Sequence, residues 1–315
     1  MRFLFSIILL LMISSSVLSA EVYIIKTTDR DKGIKALFDT ALVPNLYGKK
    51  IIIKPNYNSN DPFPAATHID TLKTIIPILK AATPESITIV ERSGMGTTQD
   101  VLENKGVMLL AEEQTIEVVV TDVLGSDAWT RRGTKETHWE DGFMVPKIVL
   151  EADYVVNLPC LKTHRFGGDF SLALKNHVGT VAKWHEGYNY MAELHSSPNQ
   201  RKMIAEINKY VPSDLIILDA IKGFSTEGPD KGKLIEPEIM LLSTDPVAID
   251  AVGVAILRMY GTTAKVARGK IFDQDQLKRA AELKIGVTSP QQIKLIAVNK
   301  EAEPIIKKIE KILYK

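Results

Sequence analysis

Residues 151–164 read EADYVVNLPCLKTH. The run Tyr154–Val156 is short, apolar and β-branched, the pattern of a strand buried on both faces of a sheet. Asn157-Leu158-Pro159 stops it. A thiol, an ammonium, a hydroxyl and an imidazole follow at Cys160, Lys162, Thr163 and His164. In open α/β sheets, ligands bind where strands end and loops leave, so this stretch points to both a fold and a site.

The same punctuation recurs on either side. EVYIIKT (21–27), KKIIIKPN (49–56), SITIVERSG (86–94), TIEVVVTD (115–122), DLIILDAI (214–221), EIMLLST (238–244) and QIKLIAVN (292–299) read as strands. Between them lie helical patterns. Asp29–Leu42 carries Ile34, Leu37, Phe38 and Leu42 on one face. A helix capped by Thr67 carries Ile69, Leu72, Ile75, Ile76 and Leu79, with Pro77 expected to kink it. Further helices are expected over Phe170–Val181, Ser197–Tyr210 and Asp245–Tyr260. The polar stretch 124–142 fits an excursion or a small hairpin. Strands separated by helices in this order indicate βαβ units. The expected fold is α/β, a mainly parallel twisted sheet with helices on both faces, forming one domain over 21–315.

The chain has 315 residues, 45% of them hydrophobic, and a formal net charge of +1. Its lysines and arginines are dispersed, which argues against nucleic acid as a partner. The first twenty residues, MRFLFSIILLLMISSSVLSA, have a positive start at Arg2, an apolar run Phe3–Ile13 and small residues to Ala20. That is the layout of a secretory signal peptide cut near Ser19 or Ala20, with an uncleaved anchor as the alternative. The apolar run is short for a membrane span. The expectation is an exported protein with no stable membrane insertion after cleavage. One cysteine, Cys160, allows no internal disulfide and no iron–sulfur cluster.

Parallel strands would bring five polar clusters to one rim. These are Lys54 and Asn56; Glu91, Arg92 and Ser93; Lys162, Thr163 and His164; Asp219; and Thr244 with Asp245. Asp245-Pro246 also suits an N-cap followed by proline at the first helical position. Asp250 lies in a helix apolar nearly all round, so its carboxylate needs a partner. Lys54 and Lys175 are the candidates. Lys175 and Asn176 sit in the apolar segment LALKNH, where a desolvated lysine can act as base, nucleophile or anion clamp. His164, His177, His185 and His195 fall within residues 164–195. Their spacing matches no standard zinc pattern, but a divalent metal held by His164, His177 and His185 is an open alternative.

Together, IIIKPNYN, THIDTLKTIIPILK, ITIVERSG, EADYVVNLPCLKTH, LALKNHVGTV, DAIKGFSTEGP and LLSTDPVAIDAVG resemble the domain of unknown function 362 family. Some of its members carry ferredoxin-like cysteine motifs, which this chain lacks. A looser similarity links Pro159, His164, Gly167-Gly168 and Lys175 to lactate racemase-like proteins, which bind a nickel-pincer nucleotide. Lys162-Thr163 intervenes here and Lys175 lies further from the glycines. That similarity implies where a site lies, without its cofactor or reaction.

The functional expectation is an exported enzyme for a small anionic molecule. Lys162, His164, Lys175 and Asp219 would carry the chemistry. Lys54, Asn56, Glu91, Ser93, Thr163, Asn176, Asp245 and Asp250 would bind or orient the substrate. The alternative is a binding protein that captures a metabolite, cofactor or metal without turnover.

Overall fold

The apolar run Ile51-Ile52-Ile53 is buried along its whole length, and its alternate residues enter different cores. Ile51 and Ile53 pack in a cluster with Leu37, Leu72 and Ile75, whereas Ile52 packs with Val155, Met203 and Ile204. Side chains on a strand alternate between faces, so helices cover both sides of this strand. The computed structural model describes residues 19–41 and 43–315. The signal-peptide reading therefore lies almost wholly outside the described residues, as does Leu42.

Strands β1 (Ala20–Lys26), β2 (Lys50–Lys54), β3 (Ser86–Glu91) and β4 (Glu117–Val120) precede a hairpin of β5 (Trp129–Arg132) and β6 (Phe143–Pro146). The chain continues through β7 (Tyr154–Asn157), β8 (Cys160–His164), β9 (Asp169–Ser171) and a small ladder of β10 (Trp184–His185) with β11 (Tyr188–Asn189). Last come β12 (Leu215–Phe224), β13 (Leu234–Ile235), β14 (Ile239–Ser243) and β15 (Ile293–Ala297). The main sheet has the order β15-β1-β14-β12-β7-β2-β3-β4. The β12-β7-β2-β3-β4 block is parallel throughout. The fold is thus α/β with a mainly parallel sheet and helices on both faces.

One strand departs from the expected direction. β14 is antiparallel to both β1 and β12. Its C-terminal end, with Thr244 and Asp245, therefore opens at the edge opposite the ends of β2, β3 and β7. The rim gathers four of the five expected strand ends.

Several helices differ in extent. Thr67 does not cap the Ile69–Ala81 helix; His68 does, accepting from the Asp70 amide. Thr67 instead donates to the Leu158 carbonyl and accepts from the Asn56 amide. The helix runs through Pro77 without interruption. The expected Phe170–Val181 helix shrinks to one turn, Ala173–Asn176, followed by a 3-10 turn His177–Thr180. Residues 169–171 pair with β8 instead, because β8 continues past the main sheet and offers an open edge. The Glu303–Leu313 helix buries Ile306, Ile309 and Leu313 against the Pro246–Met259 helix and leaves its lysines outside.

Candidate functional site

β2 ends at Lys54, β3 at Glu91 and β7 at Asn157, all on one edge of the parallel block. After Leu158-Pro159 the chain re-enters pairing as β8, alongside the far half of β12. This extension carries Lys162 and His164 past the sheet edge. The one-turn helix Ala173–Asn176 then returns Lys175 and Asn176 over the same spot. Between them is a cavity whose empty volume is about 420 Å³ with its open mouth.

Among the described residues, four cations line this cavity: Lys54, Arg92, Lys162 and Lys175. All are buried; Lys54 and Lys162 are each 1% exposed. Glu91 is the one acid that lines it, and its oxygens are already occupied. Lys54 Nζ donates to Glu91 Oε1 at 2.5 Å, the Arg92 amide donates to the same oxygen at 2.8 Å, and the Tyr57 amide donates to Oε2 at 2.8 Å. Arg92 donates only to neutral acceptors, the Val178 and Ser93 carbonyls and the Met191 sulfur. Lys162 donates to Asn56 Oδ1 and the Ala65 carbonyl. Among the described residues, Lys175 Nζ has neither a hydrogen bond nor an ion pair. Among the described residues that line it, the cavity therefore holds a cationic excess that Glu91 alone does not balance, an arrangement that costs free energy until an anion enters.

Burial shifts these groups away from their charged forms. Desolvation lowers the Lys54, Arg92 and Lys162 values, against the opposing pull of Glu91. It lowers Lys175 to about 7, helped by the nearby charges of Lys162 and Arg92. His164 is pushed well below the ordinary imidazole range by burial and then by Lys175, so it stays neutral at pH 7. Its Nδ1 is buried and has no partner.

A chain of amides holds the floor rigid. Asn56 Nδ2 donates to Asn176 Oδ1 at 2.9 Å. Asn176 Nδ2 donates to Asn157 Oδ1 at 2.8 Å, and Asn157 Nδ2 donates to the Ala173 carbonyl at 3.0 Å. Each side chain has one orientation that satisfies its neighbours, so the set positions Lys162 through Asn56. Asn157, in the stretch that decides the fold, did not stand out as a site residue in the sequence. A polar side chain closing a fully buried strand was its signal. Gly179 was missed as well. A Cβ there would lie 2.9 Å from both Glu91 Oε1 and Lys54 Nζ.

The remaining expected residues are placed elsewhere or act indirectly. Asp219 does not line the cavity or orient His164; Arg30 Nε donates to it at 2.6 Å. Asp245 caps the Pro246–Met259 helix, accepting from the Val247 and Ala248 amides at 2.8 Å each. Asp250 pairs with neither Lys54 nor Lys175. It accepts from the Ala173 and Leu174 amides at 2.7 and 3.2 Å, and so anchors the turn that bears Lys175. Thr163 donates to the Phe224 carbonyl and accepts from the Gly228 amide, which pins the 225–233 loop. Ser93 donates to the Tyr57 carbonyl in the wall.

His164, His177 and His185 do not meet. His177 is buried against Ser213 and Asn157 and lowered to about 3 by desolvation. His185 packs its ring edge-on to Trp129. Among the described residues, no three His, Cys, Asp or Glu side chains are grouped to hold a metal ion, so the expected histidine metal site is not formed. Cys160 is buried and its thiol is pushed up to about 11 by desolvation, so it serves as an apolar filler.

Thylakoid-associated protein sll1697 of Synechocystis sp. is 24% identical over 251 residues, 78% of this chain and 74% of that protein. The lactate racemase apoprotein of Thermoanaerobacterium thermosaccharolyticum aligns over 91% of this chain and 85% of its own, at 16% identity and a TM-score of 0.44. The model of the family described as Domain of unknown function (DUF362) matches residues 51–255, which span the cavity's cations and most of the sheet, and the chain belongs to that family.

Proposed function

We propose that the protein is an exported enzyme that holds a small anion in this cavity, with Lys175 and His164 as its proton-transfer pair. The observation that carries the reading is the set of four buried cations facing one acid that is already engaged. Lys162 and Arg92 are fixed by packing and neutral acceptors, and Lys54 by Glu91, so they bind charge without moving. Lys175, lowered to about 7, exchanges its proton in the range in which acid–base catalysis works best, and His164 stands beside it as a neutral acceptor. Export rests on the N-terminal layout of Arg2, the apolar run Phe3–Ile13 and the small residues to Ala20. Among the described residues, no helix is long and apolar enough to cross a membrane.

Calorimetric titration with inorganic phosphate and with lactate tests the anion site and separates the two anion chemistries. Saturable binding at low salt that weakens in high salt, and that Lys162→Met weakens at least about tenfold, is the expected result. Binding of neither anion at about 10 mM, or binding that Lys162→Met leaves unchanged, overturns the reading. N-terminal sequencing of the protein from the exported fraction, starting at or near Glu21, tests the signal peptide.

A further inference from the structure

We propose that Lys175 is a carbonyl-directed nucleophile, which forms a Schiff base with the aldehyde or keto group of a small anion held in this cavity. The inference rests on the anion-site reading above and names the class of anion: an oxo acid.

The geometry carries it. Lys175 Nζ enters the cavity with no carboxylate to hold it as an ammonium. The acid nearby, Glu91, is taken by Lys54 and by the Tyr57 and Arg92 amides. Opposite Lys175 stands His164, with Nδ1 buried and unpartnered. The two converge over Gly168. A Cβ on Gly168 would lie 2.7 Å from Lys175 Cε and 3.0 Å from His164 Nδ1. A methyl there would press on both, so the two side chains converge on the glycine and set an amine beside a proton carrier. Burial also lowers Lys175 to about 7, so much of it is the neutral amine that attacks carbonyls.

The step balances without a further reagent. The Nζ lone pair forms a C–N bond to the carbonyl carbon, and the C=O π pair moves to oxygen. His164 carries the two nitrogen protons to that oxygen in turn, the first giving the carbinolamine hydroxyl and the second making the leaving group water. The C–O bond then breaks, one water leaves, and C=N remains. Lys162 and Arg92 face the acid group of the same molecule, which sets the carbonyl toward Lys175.

Reductive trapping tests the proposal. The full mature protein is incubated with pyruvate and sodium cyanoborohydride, and with acetone as the neutral control, and the adducts are mapped by peptide mass. Pyruvate should label Lys175 on the order of a hundredfold faster than exposed lysines, given the difference in neutral fraction. Inorganic phosphate should slow that labelling, and acetone, which the cations do not hold, should show a smaller preference that phosphate leaves unchanged. Lys175→Arg should abolish the fast adduct, with phosphate titration of the wild type as the separate readout of the anion site. Gly168→Ala, which pushes on both side chains and keeps the lysine, should slow it as well.

Labelling of Lys175 no faster than of exposed lysines, with phosphate binding intact, overturns the nucleophile and leaves the anion site standing. Fast labelling that phosphate does not slow also overturns it, because the carbonyl is then not held by the site. Loss of both phosphate binding and labelling in the wild type removes both readings.

Discussion

Asp250 Oδ1 accepts the Ala173 amide hydrogen at 2.7 Å, and through that contact a fully buried helix fixes the turn that carries Lys175. The turn has four residues and no side-chain cap of its own. Its first amides would be orphaned without the carboxylate. Asp250 therefore acts as a positioning residue for the cavity, at a distance from the ligand.

Removing that acceptor should be costly. Asp250→Ala leaves buried amides unsatisfied and is expected to lose about 2–4 kcal/mol of stability. Asp250→Asn keeps a carbonyl oxygen and should lose less. Urea unfolding of the two variants gives the comparison. A loss in the alanine variant no larger than in the asparagine variant would sink the capping role.

Asp250 also gives the fold a pH dependence. Burial raises its carboxyl to about 8, over the opposing pull of the two amides, while the unfolded chain titrates near about 3.9. The folded state thus favours the proton. The stability this contributes is complete below about pH 4 and is lost as pH rises toward 8. The stability of the wild type relative to Asp250→Asn should fall across that window, by about 1.4 kcal/mol per pH unit at most. Unfolding curves at pH 5 and pH 8 measure it.

Lys175 runs in the opposite direction. Its folded value is depressed to about 7, and the unfolded chain keeps the charge to about pH 10.4. Stability is complete above that unfolded value and is lost as pH falls through 7. Lys175→Met should therefore be more stable than the wild type at pH 6, with the gain fading toward pH 10. An anion reverses the depression. Phosphate binding at pH 8 should take up to about one proton, and almost none at pH 6. Titration in buffers of different ionisation enthalpy reads the proton count directly.

Two lysines of equal burial should respond differently to loss. Lys54→Met strands the Glu91 carboxylate inside the protein and should cost about 3–5 kcal/mol. Lys162→Met leaves only the neutral acceptors Asn56 and Ala65, so it should keep the fold and lose anion affinity. Melting temperature and phosphate calorimetry on both variants separate structural cation from binding cation.

Gly179→Ala tests the wall. The added methyl would press on the Lys54–Glu91 pair at 2.9 Å from both partners. It should lower the melting temperature and weaken phosphate binding together. Retention of both would show that the 3-10 turn has room to shift.

The sequence by itself determined the parallel βαβ frame and the cationic strand ends at Lys54, Arg92 and Lys162. Apolar runs that stop at polar clusters state where a buried strand ends and what it presents. It did not determine the direction of β14, because a short, continuous apolar run reads the same either way. For that reason Asp245 was expected at the rim and lies at the opposite edge as a helix cap. Partners of buried charges were equally hidden, since pairing depends on contacts far apart in the chain. Asp219 meets Arg30, and Asp250 meets two amides where a lysine was expected. The histidines, close in sequence, are dispersed because a strand, a buried 3-10 turn and a small ladder carry them apart. Only the tertiary structure set Lys175 beside His164 with no acid between them, and that juxtaposition gives EADYVVNLPCLKTH its proposed chemistry.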